Sequence, residues 1–412
     1  MRKCKLKDLI EVSRGATLPG RFYSTEGDLI RLTLGNFDYN NGGFKQNTSK
    51  EDIFYTGNVR PEFILNEGDI ITPLTEQAIG LLGTTAKIPE SGKYIQSQDV
   101  ALVKCLEGLY PGYCYYLLPS NTVKKQLSVG AQQTSIRHTS PDKIKDCWVY
   151  ILEIDEQKKV ADFLDMFERK IAINRRINER LEGMAKLLYD YWFVQFEFPN
   201  KEGKPYKSSG GKMVWNEKLK REIPEGWEYG TLSDIANITM GQSPKGCSYN
   251  MQGAGTIFYQ GSTDFGDKFP QIRQYTTAPT RFAKKCDILM SVRAPVGDLN
   301  IANNNCSIGR GLAALNPKIG SISFLYYVLL SFKKIFDRRS VAGTTFGSIS
   351  KDELFVLPVI VPNKSVIKKY EHLCKPILDA QMCMSEEIKS LTNQRDFLLP
   401  MLMNGQVEIM EK

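Results

Sequence analysis

Two acidic residues in the first half of the chain, Glu67 and Asp69, have a spacing that could bind Mg²⁺ for phosphodiester chemistry. A second stretch, Lys285-Cys286-Asp287, aligns with Glu67-Gly68-Asp69 and keeps only the aspartate. Because the counterpart lacks the first carboxylate, a turn before a strand explains both stretches better than a metal site.

Other sequence motifs for catalysis are also absent. Residues Gly241 to Gly246 have the glycine spacing of a phosphate-binding loop, but Cys247 follows where that loop needs lysine. There is no HExxH, no GxGxxG after a strand, and no Asn-Pro-Pro-Tyr of the kind that holds a flipped base. The chain has two histidines and nine cysteines without a CxxC pair, so it predicts no zinc site. We expect no catalytic residue, metal or cofactor, and reduced thiols.

Polar loops rich in hydrogen-bond donors are the candidates for nucleic-acid binding. Gln and Asn can bond adenine through two atoms, Arg can bond guanine N7 and O6, and Lys suits phosphates. For any single residue a solvated turn is the alternative, but related loops in both halves of the chain favour binding. The candidate DNA-binding residues are Arg14, Thr17, Gln96, Gln98, Gln132, Gln133, Thr134 and Arg137 in the first half, and Gln242, Ser243, Lys245, Arg293, Asn303, Asn304, Arg338, Thr344 and Thr345 in the second.

The charge of the chain is compatible with contacts to phosphates. The 412 residues carry a formal net charge of +8. Residues 228–361 have 14 Lys and Arg against 9 Asp and Glu, a net of +5, whereas residues 1–153 have 18 against 17, a net of +1. The most apolar stretch, Phe324 to Phe332, is about half the length of a membrane span. We expect a cytoplasmic protein without membrane contact.

An internal duplication organises the chain. Leu6-Lys7-Asp8-Leu9-Ile10-Glu11-Val12 matches Leu232-Ser233-Asp234-Ile235-Ala236-Asn237-Ile238, and a glycine, Gly15 or Gly241, follows three residues after each. Each copy ends in a long pattern of apolar residues at alternating intervals of three and four, which is typical of a coiled-coil seam. In the first pattern the seam residues are Val160, Leu164, Phe167, Ile171, Asn174, Asn178, Leu181, Ala185 and Leu188; in the second they are Ile367, Tyr370, Cys374, Ile377, Gln381, Met384, Ile388 and Leu391.

The duplication predicts an α+β fold with two repeated globular domains separated by two long antiparallel coiled-coil helices. The expected segments are residues 1–153 (first domain), 154–198 (first helical region), 199–227 (linker), 228–361 (second domain) and 362–412 (second helical region). The Gly, Ser and Pro content of the linker predicts irregular backbone. Pro376 lies within the second helical pattern and should kink it.

Three longer stretches of the sequence resemble specificity (S) subunits of type I restriction–modification systems. They are Leu187-Leu188-Tyr189-Asp190-Tyr191-Trp192-Phe193-Val194-Gln195-Phe196 running into Gly203-Lys204-Pro205-Tyr206-Lys207 and Ile223-Pro224-Glu225-Gly226-Trp227, then Asp287-Ile288-Leu289-Met290-Ser291-Val292-Arg293-Ala294-Pro295-Val296-Gly297, and finally Leu398-Leu399-Pro400-Met401-Leu402-Met403-Asn404-Gly405-Gln406-Val407.

The resemblance implies a non-catalytic subunit in which two target-recognition domains each read one half of a split site in double-stranded DNA. It implies helical regions that space the two domains and bind two modification (M) subunits, which carry S-adenosylmethionine and methylate adenine. Restriction (R) subunits, which use ATP and Mg²⁺, join the larger complex. Partner contacts are expected at Tyr191, Trp192, Phe193, Leu398 and Met401.

One departure from the family pattern concerns the first domain. It has Ile71-Thr72-Pro73-Leu74-Thr75-Glu76 where the second has Leu289-Met290-Ser291-Val292-Arg293-Ala294. The two domains are therefore expected to read different half-sites. Two other functions stay open from the residues themselves: a coiled-coil assembly protein without a nucleic-acid role, and a DNA-modifying enzyme with divergent motifs.

Overall fold

The polypeptide is organised as two compact units, each containing helices and sheets. The computed structural model describes residues 1–39, 42–47, 53–76, 80–129, 137–341 and 347–409. Unit 1 contains Met1–Ile171 and Ser390–Lys412, and unit 2 contains Ala172–Lys389. This agrees with the predicted α+β class, although the boundary between the units lies within the long helices rather than at their ends.

Unit 1 is built around an antiparallel sheet of four strands in the order β2-β10-β6-β8. One of its two inner strands, β10, carries the run Val100-Ala101-Leu102-Val103, which is buried on both faces, as expected for a strand inside a sheet. A second sheet has the order β3-β5-β4-β9, and β1–β12 and β7–β11 form two further pairs. The strands are β1 Arg2–Lys5, β2 Ile10–Arg14, β3 Tyr23–Ser24, β4 Ile30–Arg31, β5 Phe54–Tyr55, β6 Ile70–Pro73, β7 Thr75–Glu76, β8 Ala86–Lys87, β9 Tyr94–Ile95, β10 Val100–Cys105, β11 Arg137–His138 and β12 Trp148–Ile151.

The helices of unit 1 cover one face of the sheet β2-β10-β6-β8. Helix α1 begins with Pro111, whose missing N–H costs nothing at a helix start, and it buries Tyr113 and Cys114. Ser140 caps α3 by accepting a hydrogen bond from Lys143 N. The helices that begin in this unit are α1 Pro111–Leu117, α2 Asn121–Val129, α3 Pro141–Lys145 and α4 Ile154–Tyr189.

Unit 2 repeats this architecture. Its antiparallel sheet has the order β16-β24-β21-β22, and a second sheet has the order β17-β19-β18-β23-β20. The elements that begin in this unit are β13 Met213–Asn216, β14 Arg221–Pro224, β15 Glu228–Thr231, α5 Leu232–Ile235, β16 Ala236–Met240, β17 Tyr249–Asn250, β18 Thr256–Tyr259, β19 Tyr275–Thr276, β20 Phe282–Ala283, β21 Ile288–Ser291, β22 Leu299–Ile301, β23 Cys306–Ile308, β24 Leu312–Pro317, α6 Ile322–Val341, α7 Lys351–Phe355, β25 Pro358–Val361 and α8 Lys364–Met403.

The turn before β6 and its counterpart before β21 confirm the duplication at the residue level. Gly68 has φ +84° and Cys286 has φ +74°, so both turns use the left-handed conformation at the same position. In each turn the aspartate accepts a backbone hydrogen bond of 2.8 Å, Asp69 from Asn66 N and Asp287 from Lys284 N. The carboxylates therefore close turns, as the sequence indicated. Cysteine, unlike glycine, is strained at this φ.

The two long helices pack with their predicted seam residues inward. In unit 2, Asn174 Nδ2 donates to Glu387 Oε2 at 2.7 Å and Asn178 Nδ2 donates to Ser385 Oγ at 3.2 Å. Because the α8 partner number falls as the α4 number rises, the helices run antiparallel there. In unit 1, the start of α4 meets the end of α8 through Arg395 Nη1 and Glu168 Oε1, 2.6 Å apart. The polar seam residues fix the register of the pair.

In both units a lysine and a tyrosine bind the same carboxylate of α4. In unit 1, Tyr116 donates to Asp165 at 2.6 Å and Lys87 Nζ lies 3.5 Å from the same side chain. In unit 2, Tyr327 donates to Glu182 at 2.9 Å, and Lys268 forms an ion pair with Glu182. These contacts attach the sheet-bearing part of each unit to α4.

The Lys268 ion pair is shielded from water. The Lys268 side chain is 13% exposed, and its Nζ also donates to Gln381 Oε1 at 2.8 Å. Burial lowers the pKa of Lys268, an effect that Glu182 opposes. Burial acts to raise the pKa of Glu182, but Lys268 and the hydrogen bonds from Gln381 and Tyr327 hold it below its ordinary value. Each group therefore favours the charged form of the other.

The segment after α4 is more ordered than its composition suggested. A π-helical turn, Asp190–Val194, follows α4, and β13 and β14 form a hairpin. Trp227 stacks on Phe198 with ring centroids 4.9 Å apart. The expected irregular linker consists of turns over residues 199–212, followed by a hairpin that packs on the core of unit 2. Helix α8 runs from Lys364 to Met403, so Pro376 does not end it.

We expect Lys268→Ala to destabilise unit 2, because it leaves Glu182 buried without its counter-ion. The free energy of unfolding should fall by about 3 kcal/mol, the lower end for a broken buried pair, since the Glu182 side chain keeps 35% of its surface exposed. Urea unfolding followed by tryptophan fluorescence measures this, because three of the four tryptophans, Trp192, Trp215 and Trp227, lie in unit 2.

The matched control is Lys375→Ala, which removes a lysine from an exposed ion pair with Asp379 on α8. It should change the unfolding free energy by less than about 1 kcal/mol. Equal effects of the two substitutions would contradict the role assigned to the buried pair.

Candidate nucleic-acid interface

In unit 1, the end of β2 and the turn before β10 form one polar edge of the central sheet. Gly15 N donates to Val100 O at 3.3 Å, and Ala16 N donates to Gln96 O at 3.0 Å. A Cβ on residue 15 would lie 2.3 Å from the carbonyl oxygen of Ser97, so only glycine permits this approach. We call residues 14–17 with residues 96–99 the first edge.

The first edge presents two of the predicted side chains together. Thr17 and Gln98 are both exposed, and Thr17 Oγ1 donates to Gln98 Oε1 at 3.2 Å. Arg14, at the end of β2, is also exposed. Amide, hydroxyl and guanidinium groups are the side-chain groups that contact base edges and phosphates.

Unit 2 has the same arrangement at the end of β16. Gly241 N donates to Leu312 O at 2.9 Å, and Gln242 N donates to Ile308 O at 3.0 Å. A Cβ on residue 241 would lie 2.2 Å from Gly309 O. We call residues 241–245 with residues 308–311 the second edge.

Exposed cations surround the second edge. Val292 N donates to Gly311 O at 2.8 Å, which places Arg293 beside the turn, and Ile308 N donates to Arg281 O at 2.9 Å, which places Arg281 on its other side. A local excess of positive charge attracts the phosphates of DNA. The exposed cationic residues at or beside this edge are Lys245, Arg281, Arg293 and Arg310.

A groove of about 510 Å³ adjoins the first edge at Thr17. Its walls include Phe22 and Tyr55, whose ring centroids are 5.8 Å apart, and Arg60, which lies 4.8 Å over the ring of Phe63.

The backbone along this groove can be matched between the units. Thr56 N donates to Phe22 O in unit 1 as Thr277 N donates to Ser248 O in unit 2, and Phe63 O in unit 1 accepts the same backbone hydrogen bond as Arg281 O in unit 2. Phe63 follows Thr56 by seven residues whereas Arg281 follows Thr277 by four, so unit 1 has three extra residues along this groove.

Not all predicted residues are exposed at the edges. Gln96 is buried, and its Nε2 donates to Ser13 O and Val100 O at 2.8 and 3.0 Å, so it supports the first edge from inside. Asn303 bonds Tyr259 and Pro270, and Asn304 bonds Asn303, at the opposite end of the sheet from Gly241. None of these three side chains is therefore presented on the exposed surface of an edge. Arg137 lies in β11 and Arg338 in α6, and Gln132, Gln133, Thr134, Thr344 and Thr345 lie outside the described residues.

The sequence reading missed Arg281 and Arg310. The duplication did contain a signal for Arg310. When the two halves of the chain are aligned at Gly15 and Gly241, the turns that these loops contact are also aligned. Gly309-Arg310-Gly311 then stands where the first unit has Ser97-Gln98-Asp99. Arg281 had no such signal, because its counterpart, Phe63, is aromatic.

The residues expected to contact partner subunits also differ in their exposure. Trp192 and Phe193 belong to the core of unit 2, where the Phe193 ring centroid lies 4.7 Å from that of Phe324. Leu398 is partly buried against the core of unit 1, and Met401 is half-buried. Tyr191 remains 37% exposed. Trp192 and Phe193 are thus not available to a partner.

Tyr191 instead belongs to an exposed apolar face in unit 2. Residues at successive intervals of four, seven, three and four recur on one side of an α-helix. We call this set the α4 stripe. It consists of Ile173, Ile177, Met184 and Leu187 of α4 and Tyr191 of the π-helical turn that follows, which are 55%, 39%, 58%, 68% and 37% exposed.

Several classes of site are absent from the described part of the chain. No group of three or more His, Cys, Asp or Glu side chains there is placed to hold a metal ion. All nine cysteines are free thiols. None of the helices in the described segments combines the length and apolar character of a membrane span.

Comparison with known proteins gives concordant results. A family model described as the type I restriction modification DNA specificity domain matches residues 1–183 and 224–370. The putative type I restriction enzyme MjaX specificity subunit of Methanocaldococcus jannaschii is 29% identical over 423 residues, covering 98% of this chain and 93% of that protein. The type I restriction enzyme HindI specificity subunit of Haemophilus influenzae is 22% identical, covering 72% and 77%.

The fold has also been seen in a solved structure. The S subunit of a type I restriction–modification system from M. genitalium superposes with a TM-score of 0.61 at 17% identity, covering 100% of this chain and 96% of that one. The predicted fold class is therefore confirmed.

We expect Gly15→Ala and Gly241→Ala to loosen the first and second edge respectively, because the added Cβ would overlap a carbonyl oxygen of the facing turn. The free energy of local opening at Ala16 or Gln242 should fall by about 1–3 kcal/mol. Amide hydrogen exchange at these two residues measures it. Gly246→Ala is the control, because its Cβ would meet nothing within 4 Å; equal exchange in all three variants would refute the packing argument.

Proposed function

The chain belongs to the type I restriction–modification DNA specificity family, and we propose that it is the subunit that selects the DNA sequence for a type I complex. The observation that carries this proposal is the pair of equivalent edges, one in each unit, whose backbones are alike and whose exposed side chains differ. Each edge would read one half of a bipartite, asymmetric site in double-stranded DNA.

The side chains at the edges divide into two tasks. Groups that can bond base edges, Thr17, Gln98, Gln242 and Arg293, would supply sequence selection. Lysines and further arginines, such as Lys245 and Arg281, would bind phosphates and make affinity depend on salt. The second edge is the more cationic, so phosphate contacts should contribute more to binding in unit 2.

We further propose that the chain contributes no catalytic group. Two M subunits would supply methylation of adenine, and R subunits would join them for cleavage. The M subunits would need a surface on this chain to bind. The α4 stripe is an exposed apolar surface in unit 2 that could supply it. It replaces Trp192 and Phe193 as the expected contact.

Co-expression with the M subunit in a host that lacks its own adenine methylation tests the function. Genome-wide mapping should find methylated adenines only when both proteins are present, and the shared motif should be split into two half-sites. Methylation by this chain alone would favour the enzyme alternative. Failure of the complex to bind any DNA at low salt would favour the assembly alternative.

Ile173→Glu and Met184→Glu should weaken assembly with the M subunit, because each would place an unpaired carboxylate in an apolar contact. Affinity should fall on the order of 10- to 30-fold for each substitution, as for a contact worth about 2 kcal/mol. Sedimentation or titration calorimetry with purified M subunit measures this.

Ala172→Glu is the matched control, since residue 172 is exposed and adjacent to Ile173 but lies on another side of the helix. It adds the same charge and should leave assembly unchanged. If all three variants assemble normally, the α4 stripe is not the docking surface.

A further inference from the structure

We infer that Thr17 with Gln98, and Ser243 with Arg310, are equivalent base-reading pairs, and that Arg310 reads a guanine in the second half-site. This inference rests on the proposed function, and it assigns a base contact to Arg310, which was not among the candidate residues from the sequence. Three observations support it: the equivalence of the two pairs, the way the turn presents Arg310, and the chemistry of the two side chains.

The backbone establishes the equivalence. Val100 N donates to Ser97 O and Leu312 N to Gly309 O, each at 3.0 Å, so residues 98 and 310 occupy the same position in the two turns. The facing loops are also alike, since Tyr23 donates to Leu18 O and Tyr249 to Pro244 O, each at 3.0 Å. Residues 17 and 243 therefore correspond, and both carry a hydroxyl group.

In both pairs the hydroxyl contacts the residue at the apex of the turn. Thr17 Oγ1 donates to the Gln98 side chain, whereas Ser243 Oγ accepts from the backbone N–H of Arg310 at 3.1 Å. In the first pair the bond orients the amide. In the second pair it fixes the backbone and leaves the guanidinium group to reach outward.

The turn around Arg310 is packed tightly beneath it. A Cβ on residue 309 would lie 3.0 Å from Gln260 Cα, and one on residue 311 would lie 2.8 Å from Gln260 O. Two glycines therefore let the turn pack directly on the backbone of Gln260, the residue after β18, while Arg310 itself is exposed. Within the described residues, its guanidinium group has neither a hydrogen-bond acceptor nor an ion-pair partner.

A rigid turn with one free donor group is suited to reading a base. Arginine can donate two parallel hydrogen bonds to O6 and N7 of guanine, and glutamine can pair in the same way with N6 and N7 of adenine. The first pair should thus prefer adenine at one position of its half-site, and the second pair should prefer guanine.

The test uses the complex with M subunits and three variants, Arg310→Gln, Gln98→Arg and Lys245→Ala, each mapped for methylated adenines across a genome. Arg310→Gln should lower methylation of the original site on the order of 10- to 100-fold. It should relax or change one guanine position of the second half-site and leave the first half-site intact. Gln98→Arg should alter only the first half-site.

Lys245→Ala separates base reading from phosphate binding. It should weaken methylation uniformly, more strongly at high salt, with the motif unchanged. If Arg310→Gln behaves in that manner, Arg310 is a phosphate contact and the inference is overturned. If it alters the first half-site, the pairing of residues with half-sites is wrong.

Failure of the inference and failure of the proposed function give different results. A wild-type complex that yields no split motif refutes the proposed function before any variant is compared. A split motif in the wild type that survives Arg310→Gln at every position refutes the inference alone. The thermal unfolding of each variant should match the wild type, because residues 98, 245 and 310 are exposed.

Discussion

Close approach of backbone to backbone at Gly15 and Gly241 is the constraint on which both candidate binding edges depend. At each position a Cβ would lie less than 2.5 Å from a carbonyl oxygen of the facing turn. The loop after one strand is therefore held against the turn before another by main-chain hydrogen bonds that any sequence can make. Side chains beyond the glycine are then free to vary without loss of the fold. That separation of support from recognition is what a subunit needs if related proteins are to read different sequences.

A second constraint lies in the helices, whose buried seam contains polar groups. Apolar residues alone would permit the two helices to slide by one heptad. Asn174, Asn178 and Gln381 prevent this in unit 2, because each forms a hydrogen bond that only one register satisfies. Lys268 and Glu182 add a contact from the globular part to the same helix. Polar groups thus cost stability but define how the parts of unit 2 are joined.

The sequence predicted the organisation of the chain better than its binding residues. The duplication and the seam follow from spacing, so both long helices were predicted near their observed positions. The linker was less predictable, because Gly and Ser mark a turn without showing that Trp227 and Phe198 pack beside it. Gln96 and Arg310 show the same limit at the edges. Gln96 carries hydrogen-bond donors, but the fold buries it. Arg310 lies in a turn that two flanking glycines allow to pack closely on the backbone, and spacing alone does not show this.

The two edges have equivalent backbone hydrogen bonds and differ in their exposed side chains. Where unit 2 has Arg281 and Arg310, unit 1 has Phe63 and Gln98. Thr75 occupies the place of Arg293, since Thr139 N donates to the carbonyl of the residue before Thr75 and Ile349 N donates to the carbonyl of the residue before Arg293. Thr75 is buried and its hydroxyl donates a hydrogen bond to Asp99, whereas Arg293 is exposed. The absence of the Ser-Val-Arg stretch from the first unit is therefore a local exchange of a cation for an internal hydrogen bond. If each edge reads one half-site, as we propose, the two half-sites should differ in composition, because arginine and glutamine favour different bases.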